Sequence, residues 1–427
     1  MKIMWFTNIA MPAVNSHLGL NIAVSSGFWM SSLLDALKGQ DWLRLAVVTA
    51  LPGVANTHFN ADGIDYFVVG QPKGTSHLAV READLMYCAK LVDRWQPDLV
   101  HVHGTERFFG LLGARKLIAP PTLVTIQGVL AFVVAHYFGS LTPWQIARAT
   151  RWFELPFGYG LLWDLWRYRR AISWEREILS EIRYFTGQTE WDRAQVWAHN
   201  PDASYWRGGR VLRPAFYERR WSLNGCQRYT IVFTHAGVPR RDVETLLRAV
   251  SLLRREFPEV RLRLAGQISK RSGYGRFVHH MIRALGLEDA VELLGYISAS
   301  QMADILVNSH VYAIASRTEN ESNSLCEAML MGVPCVASYA GGLPSMMEHG
   351  RSGLLFPPGD AEQLGVIWRE LFRNDALAQS LATGAYAVAM GRHDPKLVVS
   401  DLHRVYREVL GQSQVPVDES EEGACAS

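Results

Sequence analysis

Short apolar segments, each followed by a stretch long enough for a helix, recur in two successive runs along this 427-residue chain and leave it few folds to adopt. The first run is Ile3 to Phe6, Arg44 to Val48, Tyr66 to Val69, Leu99 to Val102 and Leu123 to Ile126, with an apolar helix expected from Phe28 to Leu37. The second is Tyr229 to Thr234, Arg261 to Ala265, Val291 to Leu294, Val311 to Ala315 and Cys335 to Ser338. Strands alternating with helices predict parallel sheets with crossover helices. At roughly 150 residues per domain the length suits two or three domains. The expectation is an α/β chain of two doubly wound domains, 1–217 and 218–394, joined near Pro214 to Cys226, where Glu218-Arg-Arg-Trp-Ser-Leu-Asn-Gly225 interrupts the apolar pattern. Such sheets bind ligands beyond the carboxyl ends of their strands, so the site is expected in the cleft between the two domains.

Lys plus Arg (43) nearly balance Asp plus Glu (41), which excludes a global field that would recruit nucleic acid. Cys88, Cys226, Cys326, Cys335 and Cys425 form no CxxC pair, and their odd number argues against a disulfide framework. A reducing cytoplasm is expected. Met1 to Ile9 reads as a first strand rather than a signal peptide. No window supplies the roughly 18 to 20 apolar residues of a membrane span. Pro395 to Leu410 reads as an amphipathic closing helix within 395–412, and 413–427, with Asp418, Glu419, Glu421 and Glu422, has too little apolar content to order itself.

The chemistry concentrates in Arg317-Thr-Glu-Asn-Glu-Ser-Asn-Ser-Leu-Cys-Glu-Ala-Met-Leu-Met-Gly-Val-Pro334. It follows the strand Val311 to Ala315 and leads into helix formers closed by Gly332 and Pro334, so Glu319 and Glu327 flank a strand-to-helix corner. Unpaired amides at a helix start attract anions, whereas a carboxylate there accepts hydrogen bonds from hydroxyls. Phosphate in the middle and polyols at both ends describe a nucleoside diphosphate sugar.

This segment, with Pro334-Cys-Val-Ala-Ser-Tyr-Ala-Gly-Gly-Leu-Pro344 and Gly350-Arg-Ser-Gly-Leu-Leu-Phe-Pro-Pro-Gly-Asp360, resembles the E-x7-E region of retaining family-4 glycosyltransferases of the GT-B fold. The closest likeness is to bacterial enzymes of capsule, exopolysaccharide or lipopolysaccharide assembly. The resemblance implies two Rossmann-like domains facing a central cleft, with the C-terminal helix crossing back to the first. It places Glu327 at the ribose, Glu319 at the donor sugar, and the amides of Asn323, Ser324 and Leu325 at the sugar and diphosphate. Relatives carry a Glu-Asn-Ser-Pro-Asn-Ser-Leu loop, so Glu321-Ser322 is a departure that sets an extra negative charge near the phosphate.

Other positions follow from the same likeness. Gly27 in Ser25-Ser-Gly-Phe-Trp29 matches a glycine loop that lets a helix start approach the diphosphate, although Ser25 or Ser26 would serve equally as a plain helix cap. In Thr234 to Asp242, Arg241 stands at the family's phosphate-binding Lys position and Ala236 at its Arg position; Lys270 or Arg271 would supply the missing cation, or Arg240 and Arg241 are solvated surface charge. Tyr296 lies in a loop resembling the one that meets the nucleobase. Gln127 replaces a common His; an amide orients a hydroxyl but takes no proton, which fits a front-face mechanism where the leaving diphosphate receives it. His101 and His103 share one strand face, open to structural hydrogen bonding, sugar contact or metal binding.

No DxD triplet occurs, so no metal and no cofactor are expected; the nucleotide-sugar is a substrate, and the second partner is a glycan or lipid-linked acceptor. Trp144, Trp152, Trp163, Trp166 and Trp174 interleave with arginines over 144–176, a composition suited to peripheral contact with anionic lipid on the inner face of the cell membrane, to core packing, or to a protein partner. Two alternatives to a transferase stay open: a non-catalytic nucleotide-sugar-binding subunit, given Ala236 and Gln127, and a GT-B sugar epimerase.

Overall fold

The computed structural model describes residues 1–20, 28–150 and 160–413. The first sheet contains β1 (Lys2–Thr7), β2 (Arg44–Pro52), β3 (Thr57–Ala61), β4 (Ile64–Gln71), β5 (Leu99–His103), β6 (Thr122–Thr125), β7 (Tyr184–Gly187) and β8 (Ser204–Arg207), in the order β3-β4-β2-β1-β5-β6-β7-β8. All neighbours are parallel except β3 and β4. The second sheet, wholly parallel, contains β9 (Gln227–Phe233), β10 (Arg261–Ala265), β11 (Val291–Gly295), β12 (Ser309–Ile314), β13 (Cys335–Ser338) and β14 (Leu354–Phe356), in the order β11-β10-β9-β12-β13-β14.

Alternation across β1 shows why apolar runs become central strands. Met4 and Phe6 enter a core with Val100, Val102 and Val124, while Ile3 and Trp5 enter the opposite core with Leu45, Leu99 and Leu123. The strand β3 lacks an apolar run; it is an edge strand folded back through Asp62 (φ 52°) and Gly63 (φ 77°), a pair suited to a two-residue hairpin turn.

The Pro395–Ser413 helix returns to the first domain, burying Val398, Val405, Tyr406 and Val409 beside Trp5 and Leu33. The Trp5 indole donates to the Tyr406 hydroxyl at 2.8 Å. A reciprocal contact runs from the first domain to the second: Ser140 Oγ donates to Asp242 Oδ1 at 2.7 Å, and the Pro143–Ala149 helix packs on the Gly273–Ala284 helix. Among the described residues no helix is long and apolar enough to cross a membrane. Trp152, Gly27 and the acidic tail from 414 onward lie outside the described residues.

Candidate active site

The strand β12 ends at Ile314, and the chain then crosses Ala315 to Ser322 before the Asn323–Leu330 helix begins. Helix formation therefore starts at Asn323, ahead of the strong formers Ala328 to Met331, and Glu327 lies within the helix. Ser322 caps it without a side-chain hydrogen bond, and the first i to i−4 bond runs from the Cys326 amide to the Ser322 carbonyl at 3.0 Å. The amides of Asn323, Ser324 and Leu325 thus have no backbone acceptor among the described residues, the usual state of a first turn and the basis of its attraction for anions. The Leu325 side chain is buried in the second domain's core, so its amide is the part that can meet a ligand.

Glu319 stands one loop before this turn and pairs directly with Arg241, each side chain 14% exposed. Arg241 also donates to Ser316 Oγ at 3.2 Å. It rides on the turn Pro239–Arg241 after β9, and Asp242 follows in the left-handed region at φ 55°. The fully buried Asp242 carboxylate accepts from Arg317 Nε at 2.6 Å as well as from Ser140, tying the β9 and β12 loops to each other and to the first domain. Behind Glu319 sit Gly341 and Gly342. Gly341 has φ +54°, and a Cβ there would lie 2.0 Å from the Glu319 carbonyl, so the Gly-Gly pair is what lets the β13 loop press against the Glu319 backbone.

The second carboxylate already has a partner within the protein. Both oxygens of Glu327 accept from Arg213, at 2.7 Å from Nε and 2.7 Å from Nη2, with the carboxylate 4% exposed. This is a bidentate fork. It orients the carboxylate while leaving it lone pairs for a hydroxyl.

Glu321 corrects one expectation. It adds no free negative charge near a phosphate, because Arg210 Nε lies 2.9 Å from one oxygen and Arg392 Nη2 lies 2.7 Å from the other, with the carboxylate wholly buried. Burial opposes its ionisation, but the two guanidinium charges outweigh burial and hold its pKa below the usual value. Arg210 also donates to Asn323 Oδ1 at 2.8 Å. Cys326 and His393 approach Glu321, forming the one Glu-Cys-His cluster among the described residues with ligand-like spacing. Two guanidiniums on that carboxylate make it a poor place for a cation.

Asn320 bridges the domains: its Nδ2 donates to Asp192 Oδ2 at 3.0 Å and its Oδ1 accepts from Thr189 at 2.7 Å. Its Nδ2 also approaches the Gln127 carbonyl at 3.4 Å. The Gln127 Nε2 is buried with no partner among the described residues, a donor left over for a ligand. Lys270 and Tyr296 are exposed on loops after β10 and β11, Tyr296 to 73%. Neither is brought against Glu319 or Arg241 by a contact.

His101 is fully used, Nδ1 to the Tyr406 hydroxyl at 2.8 Å and Nε2 to Thr125 Oγ1 at 2.6 Å. Burial pushes its pKa down to about 3, so it is a neutral structural group with no nitrogen to give a metal. His103, its ring 4.0 Å from His101, is 1% exposed, neither of its nitrogens has a partner among the described residues, and it lines a cavity of about 40 Å³ beneath the C-terminal helix. That space suits a water molecule or two rather than a sugar.

Sequence reasoning passed over Arg210, Arg213 and Arg392, because pairing across 71 to 114 residues leaves no local signal. Glu106, which the sequence places with His101 and His103 near the end of β5, and Glu175 of the Leu161–Glu181 helix, for which the sequence offers no signal, are both buried acids. Glu106 accepts from Asn8 Nδ2 at 3.0 Å, and burial pushes its pKa up to about 7. Glu175 accepts from Thr105 Oγ1 and the Leu130 amide, both at 2.7 Å, and burial pushes its pKa up to about 8, with the Glu106 charge adding to the rise.

Residues 219–388 match the family described as "Glycosyl transferases group 1". Over 191 residues the chain is 27% identical to the mannosylfructose-phosphate synthase of Agrobacterium fabrum, a stretch covering 43% of this chain and 41% of that protein, so the chain spans less than half the length of this curated relative. The fold is similar to that of sucrose-phosphate synthase from Thermosynechococcus elongatus, with a TM-score of 0.69 and 15% identity over 96% of this chain and 100% of that one. It is also similar to Anabaena HepE in complex with UDP and glucose, with a TM-score of 0.65 and 18% identity over 97% of this chain and 100% of that one. Carboxylates at both ends of an amide-rich turn, a matching family domain and two facing parallel-sheet domains agree: the chain carries a glycosyl transferases group 1 domain within a GT-B fold.

Proposed function

We propose that the protein is a retaining, metal-independent glycosyltransferase that moves a sugar from a nucleotide-sugar donor to a glycan or lipid-linked acceptor, in the assembly of a bacterial surface polysaccharide. The observation that carries this reading is the Arg241–Glu319 contact ahead of the free first-turn amides of the Asn323–Leu330 helix. Arg241 and those amides answer the charge that grows on a leaving diphosphate, and Glu319 faces the hydroxyls of the sugar that departs from it. Glu327, steered by Arg213, takes the ribose. Gln127, with its unpartnered Nε2, orients rather than deprotonates the acceptor hydroxyl. HepE, whose structure holds UDP and glucose, lends support to a nucleoside diphosphate sugar as donor.

Peripheral lipid contact belongs to the same proposal. Trp144 (70%) and Trp166 (46%) are exposed, and Arg170 covers the Trp166 ring at 4.9 Å, whereas Trp174 packs into the first domain's core.

The deciding experiment is release of free sugar from UDP-, GDP- and ADP-sugars, with no acceptor, in the presence of EDTA. One donor should be hydrolysed at an EDTA-insensitive rate that falls about ten- to a thousandfold in Arg241→Ala and Glu319→Ala. Strict dependence on magnesium or manganese, or rates in both variants equal to the parent's, would refute the proposed mechanism.

A further inference from the structure

A cavity of about 680 Å³ lies between the two domains, walled on one side by the turn Gly237 to Arg240 that leads into Arg241, and on the other by loops and helices of the first domain. Its volume is in the range of a small-molecule site, roughly 300–1,000 Å³. Three guanidiniums line it, Arg107, Arg167 and Arg240, together with Tyr137 and Tyr168. Among the described residues one of the three is met by an acid there: Asp164 Oδ1 accepts from Arg167 at 3.1 Å. Arg107 is half-buried and donates to the Ala50 carbonyl at 2.9 Å, and no carboxylate among the described residues forms an ion pair with Arg107 or Arg240. Cations partly withdrawn from water without counter-charge are costly unless a ligand supplies it. Arginine forks converging on one space are suited to the oxygens of phosphate, and tyrosine faces and hydroxyls to a sugar.

We propose that this cavity is the acceptor site and that the acceptor carries a phosphate group, held between Arg107, Arg240 and Arg167 with its sugar against Tyr137 and Tyr168. The assignment rests on the transferase reading above, since the cavity abuts the turn bearing Arg241. The phosphate has two possible sources. A second cavity shares Ser76, Leu78 and Arg167 with the first and opens past Trp166 and Trp174, with Arg115, Arg170 and Glu177 also on its wall, so the chain of a lipid phosphate has a way out of the first cavity, and a soluble sugar phosphate needs none.

The test is hydrogen-exchange mass spectrometry on the full chain, with and without whichever of UDP, GDP and ADP binds it, titrated with glucose 6-phosphate, fructose 6-phosphate, the unphosphorylated sugars, glucuronate, and farnesyl phosphate in detergent micelles. A phosphorylated probe should protect peptides spanning 74–78 and 237–240 with at least about tenfold tighter affinity than its neutral counterpart, and Arg240→Gln and Arg167→Gln should each weaken it about tenfold or more while nucleotide affinity is unchanged. Protection by farnesyl phosphate but by neither sugar phosphate supports the site and identifies a lipid source; the reverse identifies a soluble one. Equal affinity for neutral and phosphorylated probes, protection elsewhere only, insensitivity to both variants, or binding of glucuronate alone overturns the proposal. Failure of all three nucleotides to bind would count against the transferase reading, while the phosphate titration would still decide the cavity.

Discussion

Glu319, Glu321 and Glu327 each meet an arginine, so no single removal of either partner is a neutral act. Glu327 is 4% exposed and its fork with Arg213 is bidentate; deleting the acid leaves a guanidinium largely withdrawn from water. Glu327→Ala should cost about 3 kcal/mol in urea unfolding, and the Glu327→Met/Arg213→Met pair should recover much of it. A double-mutant cycle with coupling near zero would show that the two side chains do not act as a unit. Glu175 makes a pH prediction. Its folded-state pKa of about 8 lies above the ordinary value of 4.5, so the folded chain holds that proton more tightly than the unfolded one. Its stabilising contribution is complete below about pH 4.5 and is lost as pH rises to about 8. Glu175→Gln should therefore gain thermal stability relative to the parent between pH 5 and pH 8; a constant difference in Tm across that range would refute the assignment. These residues also mark how far sequence reading reaches. Glu319, Arg241 and Glu327 were visible because they sit in one contiguous pattern and one matching turn. Arg213 was not, because its role depends on a partner 114 residues away.

At the level of elements, the buried parallel strands were legible because a strand covered on both faces is a continuous apolar run. The strands β3, β7, β8 and β14 were not, being three to five residues long and at or near the edges of their sheets, where composition is mixed. The start of the Asn323–Leu330 helix was hidden for another reason: Asn323 and Ser324 have weak helix propensity, and tertiary packing of Leu325 and Cys326 overrides it. The β13 loop then acts on this element by contact. Gly341→Ala introduces both a strained φ and a clash with the Glu319 carbonyl, whereas Gly350→Ala at φ +79° meets nothing within 4 Å and carries the backbone strain alone. Displacing a reacting group by about 1 Å costs on the order of a hundredfold in rate. Donor hydrolysis should therefore fall about a hundredfold in Gly341→Ala and stay within a few fold in Gly350→Ala at matched folded fraction; equal losses would show that the loop does not set the position of Glu319.

For the whole molecule, the functional cleft depends on how the two sheets are held, and the contacts that hold them lie beside the site. Arg210 comes from the segment leaving the first domain, Arg392 from the end of the Asp375–His393 helix just before the crossover helix, and both close on Glu321 in the loop after β12. Asn320, one residue earlier, reaches Asp192 and Thr189 of the first domain. The residue that departs from the family loop thus ties the two segments that link the domains to the loop after β12, a role that a Ser at that place could not fill with two arginines. Because Glu321 is wholly buried, deleting its charge leaves two guanidiniums facing each other without compensation. Glu321→Gln should lose about 3 kcal/mol in urea, and raising salt from about 0.05 to 0.5 M should not restore it, since buried pairs are screened far less than exposed ones. Scanning calorimetry should show the parent unfolding in one cooperative transition and the variant in two, as the domains uncouple. A variant that keeps a single transition with an unchanged Tm would mean that the crossover helix, through Trp5 and Tyr406, holds the domains without help from Glu321.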